Sequence, residues 1–462
     1  MTLIKSISGI RGTIGGDVGE GLSPLDIVKF VGAFGHWINE QQGGQATQMI
    51  IGRDARISGP MVSGLAVSTL QGLGIDVIDL GLSTTPTVEM AVIHEKAAGG
   101  IILTASHNPK EWNALKLLNS KGEFISGAEG QEVLAIAESE SFSFAGVDDL
   151  GSLTTDHTWI DKHIEKVIEL PNVDVVSITG RKFKVVIDCV NSTGGISLPP
   201  LLRALGVEEV VELYCEPNGE FPHNPEPLPE HLTELSAKVK ESGAHLGFSV
   251  DPDVDRLAIV SENGAMFGEE YTLVAIADYI LGENSGATVS NLSSSRALKD
   301  VTEKHGQKHF ASAVGEVNVV AMMKAEKAVI GGEGNGGIIV PDLHYGRDAL
   351  VGIALFLSHL AKSGKTCSEL RATYPEYYMS KNKIELTPNI DVDNVLELMA
   401  SKNSSENVST VDGVKIDYED GWVHLRKSNT EPIIRVYSES TSAEKAQSLA
   451  EKIIDDVNAL VH

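Results

Sequence analysis

Three aspartates, Asp251, Asp253 and Asp255, alternate along the segment DPDVDR (residues 251–256), between two apolar runs that have the character of strands. Alternate side chains of an extended segment project to the same side, and Mg²⁺ prefers carboxylate oxygens as ligands. An EF-hand loop also begins Asp-x-Asp-x-Asp, but its sixth position requires glycine, and this chain has Arg256 there. A solvated acidic surface loop is the other alternative. We interpret the segment as a magnesium-binding loop.

A serine that could carry phosphate lies in the segment TASHNP (residues 104–109), directly after an apolar strand-like run. Open α/β sheets bind ligands at the carboxyl ends of their strands. A serine hydroxyl can become a covalent phosphate carrier where a cation neutralises the added charge. Ten residues after Ser106, Lys116 ends the next strand-like run and could return beside it. An ordinary turn and a solvated lysine are the alternatives, and the pattern alone leaves them open.

A glycine-rich segment, GGEGNGG (residues 331–337), contains the GxGxxG spacing of a dinucleotide-binding loop. That loop must be followed by a helix, whereas the residues that follow here, IIVP, are typical of a strand. We therefore exclude a nicotinamide site. A turn that brings Glu333 and Asn335 close to a polar ligand such as a sugar is one remaining interpretation, and a glycine hairpin without a ligand is the other.

A basic segment, RKSNTEPIIR (residues 426–435), combines two arginines with three small hydrogen-bonding side chains and a Glu-Pro turn. Cationic donors and exposed backbone N–H groups together form a phosphate-binding pocket. The candidate phosphate ligands are Arg426, Ser428, Asn429, Thr430 and Arg435. A basic hairpin without a ligand is the alternative.

Composition excludes several classes of protein. The chain has 462 residues and a net charge of -27, so it lacks the basic footprint of a nucleic-acid-binding protein. Any phosphate site must therefore be built locally. No apolar run approaches the roughly 18 residues that a membrane span requires, the N-terminus lacks the apolar stretch of a secretory signal, and the three cysteines form no CxxC pair. We expect a cytoplasmic protein that does not contact membranes.

The order of predicted elements indicates repeated α/β domains. Helices and strands alternate, starting with a capping box at Ser23-Pro24-Leu25-Asp26, and this pattern restarts near residues 156 and 268. After about residue 375 successive strands dominate, and a Thr441-x-x-Glu444 capping box predicts the last helix. We predict three related α/β domains with mixed sheets (residues 1–153, 154–265 and 266–375) and a smaller C-terminal α+β domain (residues 376–462).

Taken together, the four segments resemble the loops of the α-D-phosphohexomutase superfamily, which contains phosphoglucomutases, phosphomannomutases and phosphoglucosamine mutases. TASHNP resembles its phosphoserine loop, DPDVDR its metal loop, GEGNGG its sugar-binding loop and RKSNTEPIIR its phosphate-binding loop. SGIRG (residues 8–12) and GRDARIS (residues 52–58) are similar to two further family motifs. The resemblance covers the whole chain in the expected order, and it implies four domains around a central cleft.

The resemblance also implies a role for each candidate residue. Ser106 would be phosphorylated and would bind one Mg²⁺ per chain together with the three aspartates. Arg11, His107 and Arg256 would stabilise the transferring phosphoryl group, and Lys116 would be the general base. The other candidate ligands would hold the sugar and its non-reacting phosphate. The implied reaction interconverts hexose 6-phosphate and hexose 1-phosphate, with a hexose 1,6-bisphosphate as intermediate and activator.

Some positions depart from the family pattern. Asn335 stands where many members have serine, Gly337 where many have histidine, and Lys427 and Asn429 where proline and glycine are frequent. The form of the sugar loop favours glucosamine phosphate as substrate, with mannose or glucose phosphate as the alternative. We expect a monomer or a homodimer. A sugar-phosphate sensor of the same fold and a metal-dependent phosphatase are the rival functions.

Overall fold

The computed structural model describes residues 2–6, 9–43, 47–385, 391–427 and 433–461. The chain divides into two compact units. The first contains Met1–Thr272 and Asn335–Arg371, and the second contains Leu273–Gly334 and Ala372–His462. Within the described residues, none of the helices combines the length and the apolar character needed to cross a bilayer.

The first unit begins with a seven-stranded sheet in the order β1-β2-β6-β5-β3-β4-β7. The strands are β1 (Ile4–Ser6), β2 (Gly9–Thr13), β3 (Gln48–Arg53), β4 (Asp76–Leu82), β5 (Gly99–Leu103), β6 (Trp112–Leu118) and β7 (Leu153–Thr155). The accompanying helices are α1 (Pro24–Gln41), α2 (Gly59–Gly72), α3 (Thr85–His94) and α4 (Gly127–Ser139), and a short 3₁₀ turn covers Val147–Asp149. β5 pairs in parallel with β3 and antiparallel with β6, so the sheet is mixed. Every residue of β5 is buried, because helices cover both faces of the sheet.

A second, four-stranded sheet in the same unit has the order β11-β10-β8-β9. Its strands are β8 (Lys184–Asp188), β9 (Glu209–Leu213), β10 (Leu246–Val250) and β11 (Leu257–Ser261). Its helices are α5 (Trp159–Ile168), α6 (Val175–Arg181), α7 (Gly194–Ala204) and α8 (Thr233–Ser242). β10 and β11 form an antiparallel pair of fully buried strands, and the loop between them is the predicted metal loop.

The third α/β region contributes to both units. Its strands are β12 (Thr288–Asn291), β13 (His309–Ser312), β14 (Ile330–Glu333) and β15 (Gly337–Ile339). Its helices are α9 (Glu269–Glu283), α10 (Ala297–Lys304), α11 (Glu316–Glu326), α12 (Ala349–Ser363) and α13 (Cys367–Arg371). In the second unit, β12 pairs in parallel with β13 and with β14.

The C-terminal part of the second unit is an antiparallel sheet in the order β16-β20-β19-β18-β17. Its strands are β16 (Tyr378–Glu385), β17 (Asn407–Ser409), β18 (Val414–Tyr418), β19 (Gly421–Lys427) and β20 (Ile433–Ser440). The helices α14 (Val392–Lys402) and α15 (Ala443–Val461) pack on one core with it. The predicted fold class, α/β domains with mixed sheets and a different C-terminal domain, is confirmed. The exact domain boundaries stay predictions.

The N-termini of α1 and α15 were both predicted from capping patterns. Ser23 caps α1 with a complete capping box, as predicted. At α15 the prediction was wrong by one residue, since the Ser442 hydroxyl accepts the N–H of Lys445 at 3.2 Å and the helix begins at Ala443. Thr441 and Ser442 are both suitable capping residues, and the sequence alone does not choose between them.

Candidate active site

The serine loop follows β5 and holds Ser106 in a left-handed backbone conformation, with φ of +49°. This conformation costs a residue other than glycine about 1–2 kcal/mol, so surrounding bonds must impose it. The Ser106 N–H donates to the Thr104 hydroxyl at 2.9 Å, and the side chain is 7% exposed. Strain of this kind at a strand end is typical of functional positions.

A buried guanidinium holds this loop together. Arg56, which has no exposed surface, donates to the backbone carbonyls of Ser106, of Asn108 at 2.7 Å and of Pro109 at 2.6 Å. Its Nε also donates to Asp54 at 3.0 Å. The sequence comparison with the family motif GRDARIS assigned no role to this arginine. Its five donors in a fixed planar arrangement make it the main support of the serine loop.

The metal loop is also held by side chains. The Pro252 carbonyl accepts the hydroxyls of Ser192 at 2.7 Å and Thr193 at 2.8 Å. Val254 adopts φ of +63°, which is rare for a β-branched residue. Asp251 accepts the backbone N–H groups of Asp255 and Arg256 at 3.2 Å each. The loop is therefore preorganised in a conformation that it would not adopt alone.

The three predicted metal ligands lie together as expected. Asp251, Asp253 and Asp255 have no exposed surface, and one carboxylate oxygen of each lies within 4.8 Å of those of the other two. The Ser106 hydroxyl donates to Asp251 at 2.7 Å. Oδ1 of Asp253 and Oδ1 of Asp255 are buried and accept no hydrogen bond from the described residues. Buried carboxylate oxygens left without donors fit a hard divalent cation such as Mg²⁺.

The opposite oxygens of two of these carboxylates are held by cationic and hydroxyl donors. Lys116 donates to Asp253 Oδ2 at 2.7 Å, and Thr85 donates to the same oxygen at 2.5 Å. Arg347 donates to Asp255 Oδ2 at 2.6 Å. Asp253 and Asp255 thus each have one oxygen bonded by the protein and one that accepts no hydrogen bond from the described residues. The second oxygen of Asp255 lies 3.9 Å from Nε of Arg256.

The charges of the site are strongly coupled. Burial raises the pKa of Asp251, and the charges of Asp255 and Asp253 raise it further. Burial would also raise the pKa of Asp255, but Arg347 and Lys116 outweigh it and lower that pKa below its usual range. For Lys116, burial alone would lower the pKa, yet Asp253 and Asp255 together raise it. Lys116 is therefore an ammonium group in this state.

Three further predicted residues surround Ser106. Its hydroxyl lies 3.4 Å from Nδ1 of His107. Burial, followed by the charge of Arg256, lowers the pKa of His107 to about 2, so the imidazole is neutral. Arg11 stands opposite Ala114 across β2 and β6, and burial and the nearby charge of Arg256 lower its pKa. Nε of Arg256 is buried and donates no hydrogen bond within the described residues, and its neighbour is Oδ1 of Asp255 at 3.9 Å. This N–H can still donate to a phosphoryl oxygen.

The glycine-rich segment forms a turn between β14 and β15, and a strand follows it as predicted. In the second unit, Glu333 Oε1 accepts Asn291 Nδ2 at 2.9 Å and the Gly315 N–H at 3.1 Å. In the first unit, Asn335 Oδ1 accepts the Gly337 N–H at 3.3 Å. The two sugar-binding candidates thus have defined local partners, and their contact with a sugar stays a prediction.

Two arginines of the predicted phosphate loop lie directly opposite each other, Arg426 on β19 and Arg435 on β20. Lys383 on β16 stands opposite Arg435, so three cations lie side by side across neighbouring strands. Like charges directly opposite on a sheet are destabilising, and a bound anion would relieve that repulsion. The predicted ligands between the arginines, Ser428, Asn429 and Thr430, lie outside the described residues.

Sequence reasoning assigned no role to four residues that contact or extend the site: Arg56, Thr85, Arg347 and Lys383. Thr85 begins α3, and nothing in the sequence around it indicates a contact with Asp253. Arg347 directly precedes Asp348, which caps α12. An aspartate before a long apolar run is a readable helix-start signal, but the pattern does not say where the preceding arginine points.

Comparisons with known proteins identify the family of the chain. Models of the phosphoglucomutase/phosphomannomutase α/β/α domains I, II and III match residues 3–144, 161–264 and 268–378, and the model of its C-terminal domain matches residues 383–456. The four matches follow one another in order. They leave only short stretches of the chain unmatched.

Individual relatives span nearly the whole chain. A phosphoglucomutase/phosphomannomutase of Thermococcus kodakarensis is 38% identical over 446 residues, which are 95% of this chain and 96% of that protein. A probable phosphoglucosamine mutase of Methanopyrus kandleri is 33% identical over 458 residues, 98% of this chain and 97% of that one. The crystal structure of a phosphoglucomutase/phosphomannomutase family protein from Burkholderia thailandensis is 28% identical, covers 98% of both chains and has a TM-score of 0.85. The chain therefore belongs to the phosphoglucomutase/phosphomannomutase family of the α-D-phosphohexomutase superfamily, and it is an intramolecular phosphotransferase of the isomerase class.

Proposed function

We propose that the protein interconverts hexose 6-phosphate and hexose 1-phosphate by way of a phosphate carried on Ser106. The observation that carries this proposal is the Ser106 hydroxyl, which donates at 2.7 Å to Asp251 inside a buried group of three carboxylates. A phosphoserine there would be a dianion in a buried site, so it requires cations in contact. Lys116 and Arg347 already bond the carboxylates, and Arg256 offers a buried Nε.

Asp251, Asp253 and Asp255 would hold one Mg²⁺ together with the Ser106 phosphate. Bound there, the ion supplies charge neutralisation for the transferring phosphoryl group. The protein's own contribution is to hold the carboxylates in place before the ligand arrives, through Lys116, Thr85, Arg347 and backbone N–H groups. This preorganisation spares the site a rearrangement during the reaction.

In the forward direction, a hydroxyl of a hexose monophosphate attacks the phosphorus. A new P–O bond to the sugar forms, the P–Oγ bond to Ser106 breaks, and the product is a 1,6-bisphosphate. Positioning and charge neutralisation dominate such a transfer. After the bisphosphate has reoriented, its other phosphate returns to Ser106. Arg11 and Arg256 stabilise the transferring group, and neutral His107 acts as a hydrogen-bonding group rather than as a cation.

Proton transfer is assigned to Lys116. The attacking hydroxyl loses its proton to a base, and the leaving oxygen of Ser106 gains one. Because Asp253 and Asp255 raise the pKa of Lys116, the lysine starts as an acid. It becomes a base only after it has given up its proton, so its general-base role stays a prediction.

Arg426 and Arg435 would bind the phosphate that is not reacting. Two like charges in direct opposition lose their mutual repulsion when a dianion bridges them. Each charged hydrogen bond to that phosphate contributes about 1.5–3 kcal/mol. The pair would also retain the bisphosphate while it reorients.

The central test is the phosphorylation of Ser106. The peptide containing TASHNP should gain the mass of one phosphate after incubation with glucose 1,6-bisphosphate, and Ser106→Ala should abolish turnover. Ser83→Ala is the matched control, because Ser83 is also buried in the first unit and its hydroxyl has no hydrogen-bond partner among the described residues. Mutase activity retained in Ser106→Ala would refute the mechanism. Release of inorganic phosphate without bisphosphate formation would instead favour the metal-dependent phosphatase. If the intact wild-type chain catalysed neither reaction, the sugar-phosphate sensor would be favoured.

For the sugar, we propose glucosamine phosphate, from the form of the GEGNGG loop. Glucose or mannose phosphate is the second candidate, since the relative named phosphoglucomutase/phosphomannomutase is 38% identical and the one named phosphoglucosamine mutase 33%. The discriminating measurement is kcat/KM for all three sugar phosphates under the same conditions. A tenfold preference for glucose or mannose phosphate, about 1.4 kcal/mol, would overturn the first choice and leave the mutase reaction standing.

The remaining proposals concern location and assembly. We propose that the enzyme works in the cytoplasm, as a monomer or homodimer. Light scattering on the purified protein tests the second point, because a larger assembly would contradict it.

A further inference from the structure

Arg347 reaches the metal loop from a separate part of the first unit. It lies in the connection between β15 (Gly337–Ile339) and α12 (Ala349–Ser363), and it is 8% exposed. Its Nη2 donates to Asp255 Oδ2 at 2.6 Å. The other oxygen of Asp255, Oδ1, is one of the two carboxylate oxygens without a hydrogen-bond donor among the described residues. Lys116 donates to the same Oδ2 at the longer distance of 3.5 Å, and Nε of Arg256 lies 3.9 Å from Oδ1. The short bond from Arg347 is therefore the main contact that fixes which oxygen of Asp255 faces a ligand.

The backbone on both sides of Arg347 is tied down. The Asp348 N–H donates to the Ile338 carbonyl at 2.8 Å, and the Ala349 N–H donates to the Val254 carbonyl at 3.2 Å. Val254 belongs to the metal loop itself. The position of the arginine relative to that loop is thus set by backbone bonds and not only by its long side chain.

A buried cluster behind Asp348 reinforces this position. Its Oδ2 contacts Nε2 of His163 at 3.0 Å and Nε2 of His344 at 3.4 Å, and His344 Nδ1 lies 3.3 Å from Glu89. Its Oδ1 caps the helix by accepting the Leu350 N–H at 2.7 Å. The two histidines and Asp348 have the composition of a metal site. Both nitrogens of each ring have polar neighbours, so the group joins Thr87 and Glu89 in one buried cluster, in which the His344–Glu89 contact is an ion pair without hydrogen-bond geometry.

Gly337 provides the space that the arginine occupies. A Cβ at this position would lie 2.3 Å from Cδ of Arg347 and 3.0 Å from its Cγ. Real Cβ atoms do not approach other atoms so closely, so any side chain at residue 337 would displace the arginine. The guanidinium is held at its far end by Asp255, and displacement of its stem would therefore disturb that bond.

We propose that Arg347 is a positioning residue for the phosphoryl-transfer centre, which orients Asp255 towards the divalent cation, and that Gly337 is required because it leaves room for Arg347. This inference rests on the proposed metal site. It adds to that site a residue outside the metal and serine loops, and it explains why a residue with no side chain stands at position 337.

The change in Mg²⁺ affinity when Arg347 is replaced distinguishes a positioning role from a purely electrostatic one. A cation close to a metal site weakens metal binding by repulsion, so its removal alone would tighten the binding of Mg²⁺. Loss of a residue that orients a metal ligand has the opposite effect and typically weakens binding about 10- to 100-fold. A role in packing alone would leave the affinity unchanged.

The test is calorimetric titration of the full-length protein with Mg²⁺ alone, without substrate. Arg347→Met should weaken Mg²⁺ binding about 10- to 100-fold, and Arg347→Lys, which keeps a donor, should recover part of the loss. Arg181→Met is the matched control, because Arg181 bonds the Lys365 carbonyl and stacks over Phe183. Unchanged or tighter binding in Arg347→Met would overturn the proposal.

Gly337→Ala supplies an independent arm of the same test, since Gly337 does not have a positive φ that alanine would resist. It should weaken Mg²⁺ binding in the wild-type background and have no further effect in Arg347→Ala, whose side chain ends at Cβ and leaves the space of Cγ and Cδ open. Additive effects of the two changes would contradict a shared mechanism. If the wild type itself bound no Mg²⁺, the metal assignment would fail together with this inference. If the wild type bound Mg²⁺ and the variants bound it with the same affinity, this inference alone would fail.

Discussion

The reaction centre around Ser106 and the arginine pair of the C-terminal sheet treat charge in opposite ways. In the centre, cations and carboxylates are already in contact: Lys116 bonds Asp253 at 2.7 Å, and Arg347 bonds Asp255 at 2.6 Å. All of these groups are buried. The geometry of the centre is complete except for the carboxylate oxygens that face a ligand.

In the C-terminal sheet, by contrast, Arg426 and Arg435 face each other with Lys383 beside them. Asp412 lies 3.8 Å from Arg426, and both side chains are 23% exposed. The repulsion among Arg426, Arg435 and Lys383 is weak because solvent screens it. Lys383 also has a carboxylate neighbour, Glu385 at 3.3 Å, and both of these side chains are mostly exposed. The ion pairs of the first region are thus buried, whereas those of the second are open to solvent. Changes in the first region should alter kcat, and changes in the second should alter KM.

The largest effect should come from Asp253→Asn. This variant removes one anionic ligand of the cation and weakens the pairing of Lys116. A metal ion contributes several kcal/mol to such a transition state, so kcat should fall on the order of 10⁴-fold while thermal melting stays close to that of the wild type. Chelation of the wild type should abolish turnover in the same way. Asp79→Asn is the control, because that carboxylate accepts the Gly81 N–H in a turn at 2.8 Å and is not one of the three candidate metal ligands. Near-normal kcat in Asp253→Asn would remove the metal assignment.

Next in size is the effect of replacing Lys116. Lys116→Met should still accept phosphate from glucose 1,6-bisphosphate, as seen by mass, but it should turn over about 10²–10⁴-fold more slowly through loss of a general acid–base group. Lys116→Arg keeps the charge beside Asp253 but cannot release a proton, so it should be as slow as Lys116→Met. If Lys116→Arg were as fast as the wild type, the lysine would be only a counter-charge.

These two regions also differ in how much of them the sequence predicts. The serine and metal loops were predicted because their polar residues follow apolar strand-like runs, and the carboxyl ends of strands are where ligands bind. The contacts of these loops with Arg56 and Arg347 were not predicted, because these contacts join segments that are far apart in the chain. The neutral state of His107 was not predicted either, since it follows from burial and from the field of Arg256.

In the C-terminal sheet, the motif RKSNTEPIIR identified both arginines, but it did not predict how they are arranged. Their direct opposition depends on the register between β19 and β20, and Lys383 joins them through the register between β16 and β20. A shift of register by one residue would turn a side chain to the other face of the sheet. Sequence patterns predict strands well, but they do not specify pairing at that precision.

A smaller effect should follow from Arg435→Gln. Loss of a charged hydrogen bond to the distant phosphate, about 1.5–3 kcal/mol, corresponds to a rise in KM of about tenfold to 150-fold with a smaller change in kcat. Without substrate, the free energy of unfolding should stay the same or rise by about 0.2–1 kcal/mol, because one of two opposed like charges is gone. Lys402→Gln is the control, since its ion pair with Asp456 joins α14 to α15 and does not involve the two strands that carry the arginines. A loss confined to kcat, with KM unchanged, would contradict the division of roles between the two regions.

The smallest effect concerns the buried support behind the reaction centre, and it separates that region from the solvent-screened sheet by pH. Burial alone would lower the pKa of His344, but its contacts with Asp348 and Glu89 raise it to about 10. A folded-state pKa above the ordinary value of about 6.5 means that the bound proton stabilises the fold. This contribution is complete below about pH 6.5 and is lost as the pH rises towards 10.

His344→Gln should therefore be less stable than the wild type near pH 6, and the difference between their free energies of unfolding should shrink steadily up to about pH 10. The difference between the two urea-unfolding curves isolates this residue, because the lysines and tyrosines that titrate in the same range are common to both proteins. His36→Gln is the matched control, because it makes the same replacement at a histidine that pairs with Glu40 on the surface of α1 and lies outside the buried cluster. A difference for His344→Gln that stays constant with pH would mean that the cluster supports Arg347 through packing and neutral hydrogen bonds, without a charged imidazole between its two carboxylates.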